Sequence, residues 1–326
     1  MNSSALCHSP VTQRVQYNDL AFRLSACAGV PPRRLVLLIF NPAAGTRRRR
    51  RFERVAGALA EAGVRFTVAD TAAAGDAERL AREAARSGMR IVVAAGGDGT
   101  IAEVANGIAG SAAALGVIPT GTANVFAHEL GLPFAPEPIA AALQAGRTRP
   151  VLPGLARFGD GRERLFIQML GVGFDAAVVA ALDTALKRRI GKGAYVVEML
   201  RQLFAWRFPR LQLEIDGAAF EAAQAIATKG RFYGGRFLLA PAAAPDKPGI
   251  VACLFARGGI GAAALAALAL PLGLVPRLPG FSARRAETLA VLGPAGLPVQ
   301  AVGDLVGRTP VTVGAACASI RVIVPA

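Results

Sequence analysis

The sequence predicts an α/β chain in two parts, a parallel sheet covered by helices and then a β-sandwich. Three observations predict it. Apolar runs at residues 35–40, 91–95 and 115–118 each end in a loop of small residues and then pass into a helix-like stretch. Strands that alternate with helices imply a parallel sheet buried on both faces, and such strands are continuous apolar runs. From residue 151 onward the pattern changes to many short β-like runs separated by turn residues, which suits a sandwich. At 326 residues the chain is long enough to bury two cores.

Taken in order, residues 1–32 read as a disordered or poorly ordered extension. The strand at 35–40 ends in Asn41-Pro42-Ala43-Ala44-Gly45-Thr46, and the arginines at 47–51 open a helix-like segment to residue 62. Residues 64–69 read as a strand. Residues 76–87 read as a helix with Leu80, Ala84 and Ala85 inward and Glu78, Arg82, Glu83 and Arg86 outward. The strand at 91–95 runs into Gly96-Gly97-Asp98-Gly99-Thr100 and a helix at 101–109. The strand at 115–118 runs into Pro119-Thr120-Gly121-Thr122-Ala123-Asn124 and helix-like residues through 130. Residues 33–148 thus make a Rossmann-like parallel α/β domain, with 312–326 a candidate completion of it. Residues 149–311 make the sandwich, with strands near 164–170, 211–215, 222–228, 236–240, 249–255, 287–292, 299–302 and 311–313. Helices are expected at 174–186 and 193–206.

Gly96 to Thr100 carry the sharpest chemical signal. Without Cβ atoms, Gly96, Gly97 and Gly99 can take positive φ and let backbone N–H groups approach phosphate oxygens, while the following helix points its positive end at the same place. A carboxylate among phosphate-directed donors makes sense if Mg²⁺ bridges Asp98 to a nucleotide, or if Asp98 orients or deprotonates an attacking hydroxyl. In parallel sheets the loops at the carboxyl ends of the strands gather at one edge, where ligands bind, so the three small-residue loops are expected to converge on one crevice.

Asn-Pro-x-x-Gly from Asn41, then Gly-Gly-Asp-Gly-Thr-x-x-Glu-x-x-Asn-Gly from Gly96, then Pro-x-Gly-Thr-x-Asn from Pro119, in this order, resemble the diacylglycerol kinase catalytic domain family. That family includes bacterial lipid kinases, sphingosine kinases and ceramide kinases. The resemblance implies ATP- and Mg²⁺-dependent phosphorylation of a lipid hydroxyl, by a nucleotide-binding α/β domain joined to a β-sandwich that takes the lipid. Carried onto this chain, it implies Asn41, Gly45, Thr46 and Thr71 beside the nucleotide and Gly96, Gly97, Gly99 and Thr100 on its phosphates. Gly121, Thr122 and Asn124 complete the pocket. Asp98 and Asp304 hold Mg²⁺ or orient the lipid hydroxyl, and Glu103 and Asn106 brace the main loop.

Two departures from the family pattern stand out. The segment from Gly230 to Pro241 resembles the second-domain signature, but where many members carry paired aspartates before a glycine, for a structural metal, this chain reads Asp246-Lys247-Pro248-Gly249. Near the C-terminus members carry Asp-Gly-Glu or Asp-Gly-Asp, whose first carboxylate is the candidate base. Here the residues are Val302-Gly303-Asp304. General-base assistance contributes about 10²- to 10⁴-fold, so a valine there should slow transfer.

A formal charge of +15 implies a polyanionic partner, either nucleotide or an anionic membrane surface. Lys187, Arg188, Arg189 and Lys192, followed by Arg201, Phe204, Trp206, Arg207, Phe208 and Arg210, mix cations with rings in a way that suits headgroups. Scarce aromatics and the lack of a groove-reading motif argue against nucleic acid. Cys7, Cys27, Cys253 and Cys317 show neither metal spacing nor a disulfide framework, which fits a reduced cytoplasm and a protein peripheral to the inner membrane face. His8 and His128 are too few for a histidine-based triad or metal site. The longest apolar stretch, residues 258–276, is broken by Pro271 and Pro276 and reads as a buried or interfacial helix rather than a span. Two alternatives stay open: an NAD kinase, which shares the Gly-Gly-Asp-Gly-Thr motif, and a nucleotide- or lipid-binding protein whose catalysis is impaired at Val302. Oligomeric state is not legible in the sequence.

Overall fold

The computed structural model describes residues 13–15, 35–42, 46–182 and 192–325, with the backbone alone for residues 13–15, 46, 47 and 192. The chain begins with strands β1 (Gln13–Val15) and β2 (Val36–Phe40), helix α1 (Thr46–Glu61), β3 (Phe66–Asp70), α2 (Asp76–Arg86), β4 (Ile91–Gly96) and α3 (Asp98–Ile108). Next come β5 (Ala114–Pro119), α4 (Val125–Glu129), α5 (Pro136–Ala145), β6 (Thr148–Val151), β7 (Gly154–Phe158), β8 (Glu163–Phe166), β9 (Met169–Val172), α6 (Phe174–Ala181) and α7 (Lys192–Ala205). Then follow β10 (Leu211–Ile215), β11 (Ala218–Ala222), β12 (Gln224–Thr228), β13 (Phe232–Tyr233), β14 (Phe237–Leu238), β15 (Ile250–Phe255) and α8 (Ile260–Ala269). The chain closes with β16 (Phe281–Ala286), β17 (Thr288–Gly293), β18 (Pro298–Ala301), β19 (Asp304–Arg308), β20 (Val311–Ala315) and β21 (Ile320–Ile323). These elements form two compact units: Met1–Gly121, Gly131–Arg149 and Ile320–Ala326 in the first, and Thr122–Leu130 and Pro150–Ser319 in the second.

The first unit is built on a sheet of order β1-β3-β2-β4-β5-β21-β6, parallel in every pairing from β1 to β21. All residues of β2 and β5 are buried, which is why their sequences are continuous apolar runs. Helix α1 lays Phe52, Val55, Ala56 and Leu59 on the sheet, and the Phe52 ring stacks on Phe40 at 4.4 Å between centroids. Helix α2 buries Ala77, Leu80, Ala81 and Ala84 and ties its wet face with Arg79–Asp76 and Arg79–Glu83 ion pairs. Leu80 and Ala84 face inward as the pattern predicts, while Ala85 is only half-buried and Ala77 and Ala81 complete the stripe. Within the expected N-terminal extension, Gln13–Val15 is a strand paired in parallel with β3. The rest of that extension lies outside the described residues.

The second unit is a sandwich of two antiparallel six-stranded sheets, β11-β10-β17-β20-β7-β8 and β16-β15-β12-β9-β18-β19. One core joins them, with Leu211, Leu213, Val291 and Val313 from the first sheet and Leu170, Val172, Ala252 and Val299 from the second. Strand β10 alternates buried and exposed residues, as a one-sided strand must. Strands β9, β12 and β15 instead read as continuous apolar runs, because Leu239, Ala240, Ala243, Ala269 and Val275 cover Met169, Ile226, Val251 and Cys253 on the outer face. The expected strand at 164–170 is two strands, β8 and β9, and that at 236–240 contracts to Phe237–Leu238. Helix α8 is not buried, with Ala269 its one buried residue. Among the described residues no helix is long and apolar enough to cross a membrane.

Candidate active site

The strand order of the first unit decides where a ligand can enter. From β2 the chain moves to β3 on one side and then to β4 and β5 on the other, so the direction reverses between β2 and β4. At such a reversal the flanking helices leave opposite faces and a crevice opens beyond the carboxyl ends of the strands. The Asn41 loop follows β2 and the Gly96 loop follows β4, so both flank the crevice. They are bonded to each other: Asn41 N donates to Ala95 O at 3.1 Å, and Asn41 Nδ2 to Thr100 Oγ1 at 3.3 Å. On the third side, the backbone N–H groups of Thr120 and Gly121 both donate to Gly96 O, at 3.0 and 3.2 Å. Thr71, buried just after β3, donates its N–H to Phe40 O at 2.9 Å. Asn41, Thr71, Gly96 to Thr100 and Gly121 therefore meet at one sheet edge.

The glycines work differently from the expectation. None of Gly96, Gly97 and Gly99 has a positive φ, and Gly97 is extended at φ −89° and ψ −175°. Closeness is what disfavours a side chain: a Cβ on Gly96 would lie 2.5 Å from Thr100 Cβ, an overlap, and one on Gly97 3.3 Å from the Cα of Gly121, a tight contact. Helix α3 also starts earlier than the pattern predicts, so Asp98, Gly99 and Thr100 form its first turn. The Asp98 carboxylate, on a residue only 8% exposed, belongs to the positive end of that helix. Two buried oxygens near this edge, Thr120 Oγ1 and Asp70 Oδ1, find no hydrogen-bond partner, as suits a place prepared for a polar ligand. Gly45 lies outside the described residues, and Thr46 is described as backbone only.

The second half of the Gly96 motif is scaffolding. Glu103 accepts from Gly75 N at 3.0 Å and Ala77 N at 3.1 Å, satisfying orphan donors at the start of α2. A Cβ on Gly107 would lie 2.3 Å from Glu78 O, so this glycine lets α2 and α3 touch. Asn106 Nδ2 donates to Ala102 O. Of the arginine run, Arg51 donates to Phe134 O at 2.7 Å and lies over the Phe134 ring, while Arg49 lies over Phe40. These two are packing cations as well as surface charge.

The division into units falls inside the third loop, so Thr122 and Asn124 group with the second unit and Gly121 with the first. Asn124 takes a left-handed φ of 47° at the start of α4. At the end of that short helix Glu129, which sequence reasoning passed over, is buried and accepts from Arg231 N at 2.7 Å, Arg231 Nε at 2.9 Å and Phe232 N at 3.2 Å. The only signal for it was one acid, next to His128, in the mostly apolar stretch from Val125 to Leu130. Of the aromatic and basic set near 201–210, Phe204 is exposed, but Phe208 stacks on Phe174 at 5.3 Å and serves packing. Lys187 to Arg189 lie outside the described residues.

Asp304 opens β19, and Val302 and Gly303 form the two-residue turn before it, with Ala301 paired to Asp304. Both turn residues have positive φ, 55° and 84°. Gly303 N donates to Gln300 Oε1 at 2.9 Å, and Gln300 Nε2 donates to Asp175 Oδ2 at 3.0 Å. The Tyr233 hydroxyl also bonds Asp175, and Ala176 N donates to its Oδ1 at 2.8 Å. Burial pushes the Asp175 carboxyl up to about 6, against the pull of those donors, with Gln300 the strongest of them. Burial, with the Asp175 charge beside it, likewise holds the Tyr233 phenol well above its usual range.

Comparison with known proteins agrees with this anatomy. Residues 35–155 match the diacylglycerol kinase catalytic domain, and residues 168–324 match the YegS C-terminal NAD kinase beta sandwich-like domain. A "Probable lipid kinase YegS-like" protein of Chromohalobacter salexigens is 39% identical over 160 residues, 48% of this chain and 49% of that protein. A diacylglycerol kinase of Bacillus subtilis is 35% identical over 190 residues, 56% of this chain and 60% of that protein. The chain thus matches about half to three fifths of the length of these curated relatives. A crystal structure of a diacylglycerol kinase from Bacillus anthracis superposes with a TM-score of 0.64 over 89% of this chain and 97% of that one, at 19% identity, a likeness of fold alone. The two matches follow one another along the chain, so the protein carries a diacylglycerol kinase catalytic domain followed by a YegS-type C-terminal sandwich domain.

Proposed function

We propose that the chain is an ATP-dependent lipid kinase that transfers the γ-phosphate to a lipid hydroxyl at an anionic membrane surface. The carrying observation is the crevice edge of the first unit, where Asn41, Gly96, Gly97, Thr100 and Gly121 are bonded or packed together around backbone too close for side chains. Such an edge fits a triphosphate, and the helix that begins at Asp98 adds its positive end. Mg²⁺ is held mostly by phosphates and needs only one or two carboxylates from protein, a part that Asp98 at this edge can take. With the ion bound, the charge that develops on the transferred phosphoryl group is neutralised. The protein's own tasks are to fix the phosphates, to exclude water from them and to hold Asp98 against the lipid hydroxyl.

The membrane part of the reading rests on exposed apolar side chains of the second unit. Val196, Leu200 and Phe204 recur at helical spacing on α7, and Ile260, Leu265 and Leu268 lie on α8, which packs beside it. Arg201 and Arg210, each about two thirds exposed, lie on and just after α7, paired to Glu198 at 3.7 Å and Glu221 at 3.9 Å, and in this reading exchange those partners for headgroup phosphates. The test is labelled ATP with mixed micelles of diacylglycerol, a sphingoid base, ceramide or a monoacyl alcohol, and chromatography of the product. Phosphorylation of one of these lipids that disappears in Asp98→Ala is expected. Transfer to NAD instead would establish the NAD kinase alternative, and ATP binding without turnover on any lipid would establish the impaired binder.

A further inference from the structure

The loop from β14 to β15 is where the family resemblance implies a structural metal, and the donor set here does not fit one. Asp246 is followed by Lys247 and Pro248 instead of a second carboxylate. Among the described residues no three His, Cys, Asp or Glu side chains gather as metal ligands. The centre of the loop is filled from the sheet: Lys229, just past the end of β12, is 2% exposed, and its Nζ donates to Lys247 O at 2.6 Å and to Gly249 O. Gly249 has φ +70°, and a Cβ there would lie 2.8 Å from Ala286 O, so this position is tied to glycine. Arg285 reaches the same loop and donates to Ala242 O at 2.8 Å. Three loop carbonyls therefore face side-chain cations. Converging carbonyl oxygens are what a hard cation needs, and an ammonium with three donors meets the same need at lower charge.

The charges around Nζ support a protonated amine. Burial pulls Lys229 down to about 8 and Arg285 adds to this, while Glu287 and Asp246 oppose it. We propose that the Lys229 ammonium is the built-in cation of the 239–249 loop, standing in for a divalent metal, so that the second unit folds without one. A Mg²⁺ requirement in any phosphoryl-transfer assay then reports on the nucleotide alone. This inference does not depend on the lipid-kinase reading.

Thermal unfolding of the full chain, without nucleotide, tests it. In excess EDTA and in millimolar MgCl₂ or CaCl₂ the wild-type Tm should agree within about 1 °C. Lys229→Met, which orphans two buried carbonyls, should lower Tm by about 5–10 °C in both media. Lys229→Ala combined with Lys247→Asp removes the ammonium and adds a carboxylate, and its Tm should rise with added divalent ion. A wild-type Tm that falls in EDTA and recovers with Mg²⁺ would overturn the proposal without any variant having to fold. So would a Lys229→Met protein with wild-type Tm, or a double variant indifferent to the ions.

Discussion

Val302 stands where the family carries its candidate base, and the turn geometry makes its replacement unusually informative. Positive φ at both central residues is what a primed two-residue hairpin turn demands, and Asn-Gly or Asp-Gly is the usual solution. A β-branched residue in that region is strained by about 1–2 kcal/mol. Against this, the Val302 side chain is half-buried on the sandwich core, which returns about 1 kcal/mol. The two terms nearly cancel, so both Val302→Asp and Val302→Asn should keep stability within about 1 kcal/mol, or roughly 2–4 °C in Tm. Turnover separates them. Asn repairs the turn without supplying a base, so its kcat should stay within about twofold of wild type. Asp supplies both, and its kcat should rise by about a hundredfold, the low end of what general bases contribute. The assay is labelled-phosphate transfer to the lipid identified in the micelle screen, with Tm measured alongside. Equal kcat for the Asp and Asn variants would refute the base assignment and leave only turn chemistry at this position.

Other substitutions probe the remaining parts. Gly96→Ala places a methyl group 2.5 Å from the Thr100 side chain; ATP affinity measured by calorimetry should fall at least about tenfold, and an unchanged Kd would mean that the edge is not the nucleotide site. Glu129→Gln weakens three bonds to the Arg231–Phe232 backbone and side chain; a loss of about 2–4 kcal/mol is expected in chemical denaturation, and less than about 0.5 kcal/mol would deny the carboxylate its structural role. Phe204→Glu should reduce cosedimentation with anionic phospholipid vesicles several-fold while leaving the Tm unchanged, and full retention would move the membrane face elsewhere. Asp175 carries a pH signature: its carboxyl is raised from 3.8 to about 6 in the folded chain, so the folded state holds the proton more tightly and stability from this group is complete below pH 4. That contribution, roughly 3 kcal/mol, is lost as pH rises to about 6. The Tm of Asp175→Asn relative to wild type should therefore climb between pH 4 and 6.5, and a constant difference would contradict it.

The strands of the first unit are legible in the sequence because burial on both faces leaves nothing but apolar residues between the loops. What escaped has equally plain causes. Strand β16 contains Arg284 and Arg285 and sits at a sheet edge, so half its side chains are wet and its pattern is weak. Helix α5 starts Pro136-Glu137-Pro138, which reads as loop until the caps are seen. At the crevice edge, the sequence marks Asn41, Gly96, Gly97 and Gly121, which the fold brings together, but not the division of labour among them. Closeness rather than positive φ explains Gly96 and Gly97, and that depends on which strands neighbour each other. Glu103 looked like a brace for the main loop, yet the backbone it holds belongs to the neighbouring helix, 26 and 28 residues away in sequence. Glu129, Asp175 and Lys229 are single charges in apolar company, and their partners come from distant segments.

Three carboxylates, Glu129 and Asp175 buried and Glu103 half-buried, share a pattern with a mechanistic consequence. Each is committed to backbone or amide donors beside a proposed functional residue. Glu103 sits on the helix that begins with Asp98 and ties it to α2; Glu129 closes the helix that follows Asn124; Asp175, through Gln300, holds the Gly303 N–H next to Asp304. In a low-dielectric setting such charge-assisted bonds are stiff, and their loss moves the backbone they hold. Phosphoryl transfer asks mainly for positioning and charge neutralisation, with little covalent work left for a base. A fold that places hydrogen-bonded carboxylates at three separate supports, with valine where a base is expected, suits the first demand more than the second. Weakening a support, as in Glu103→Gln, should then lower turnover even though no reacting atom has been touched.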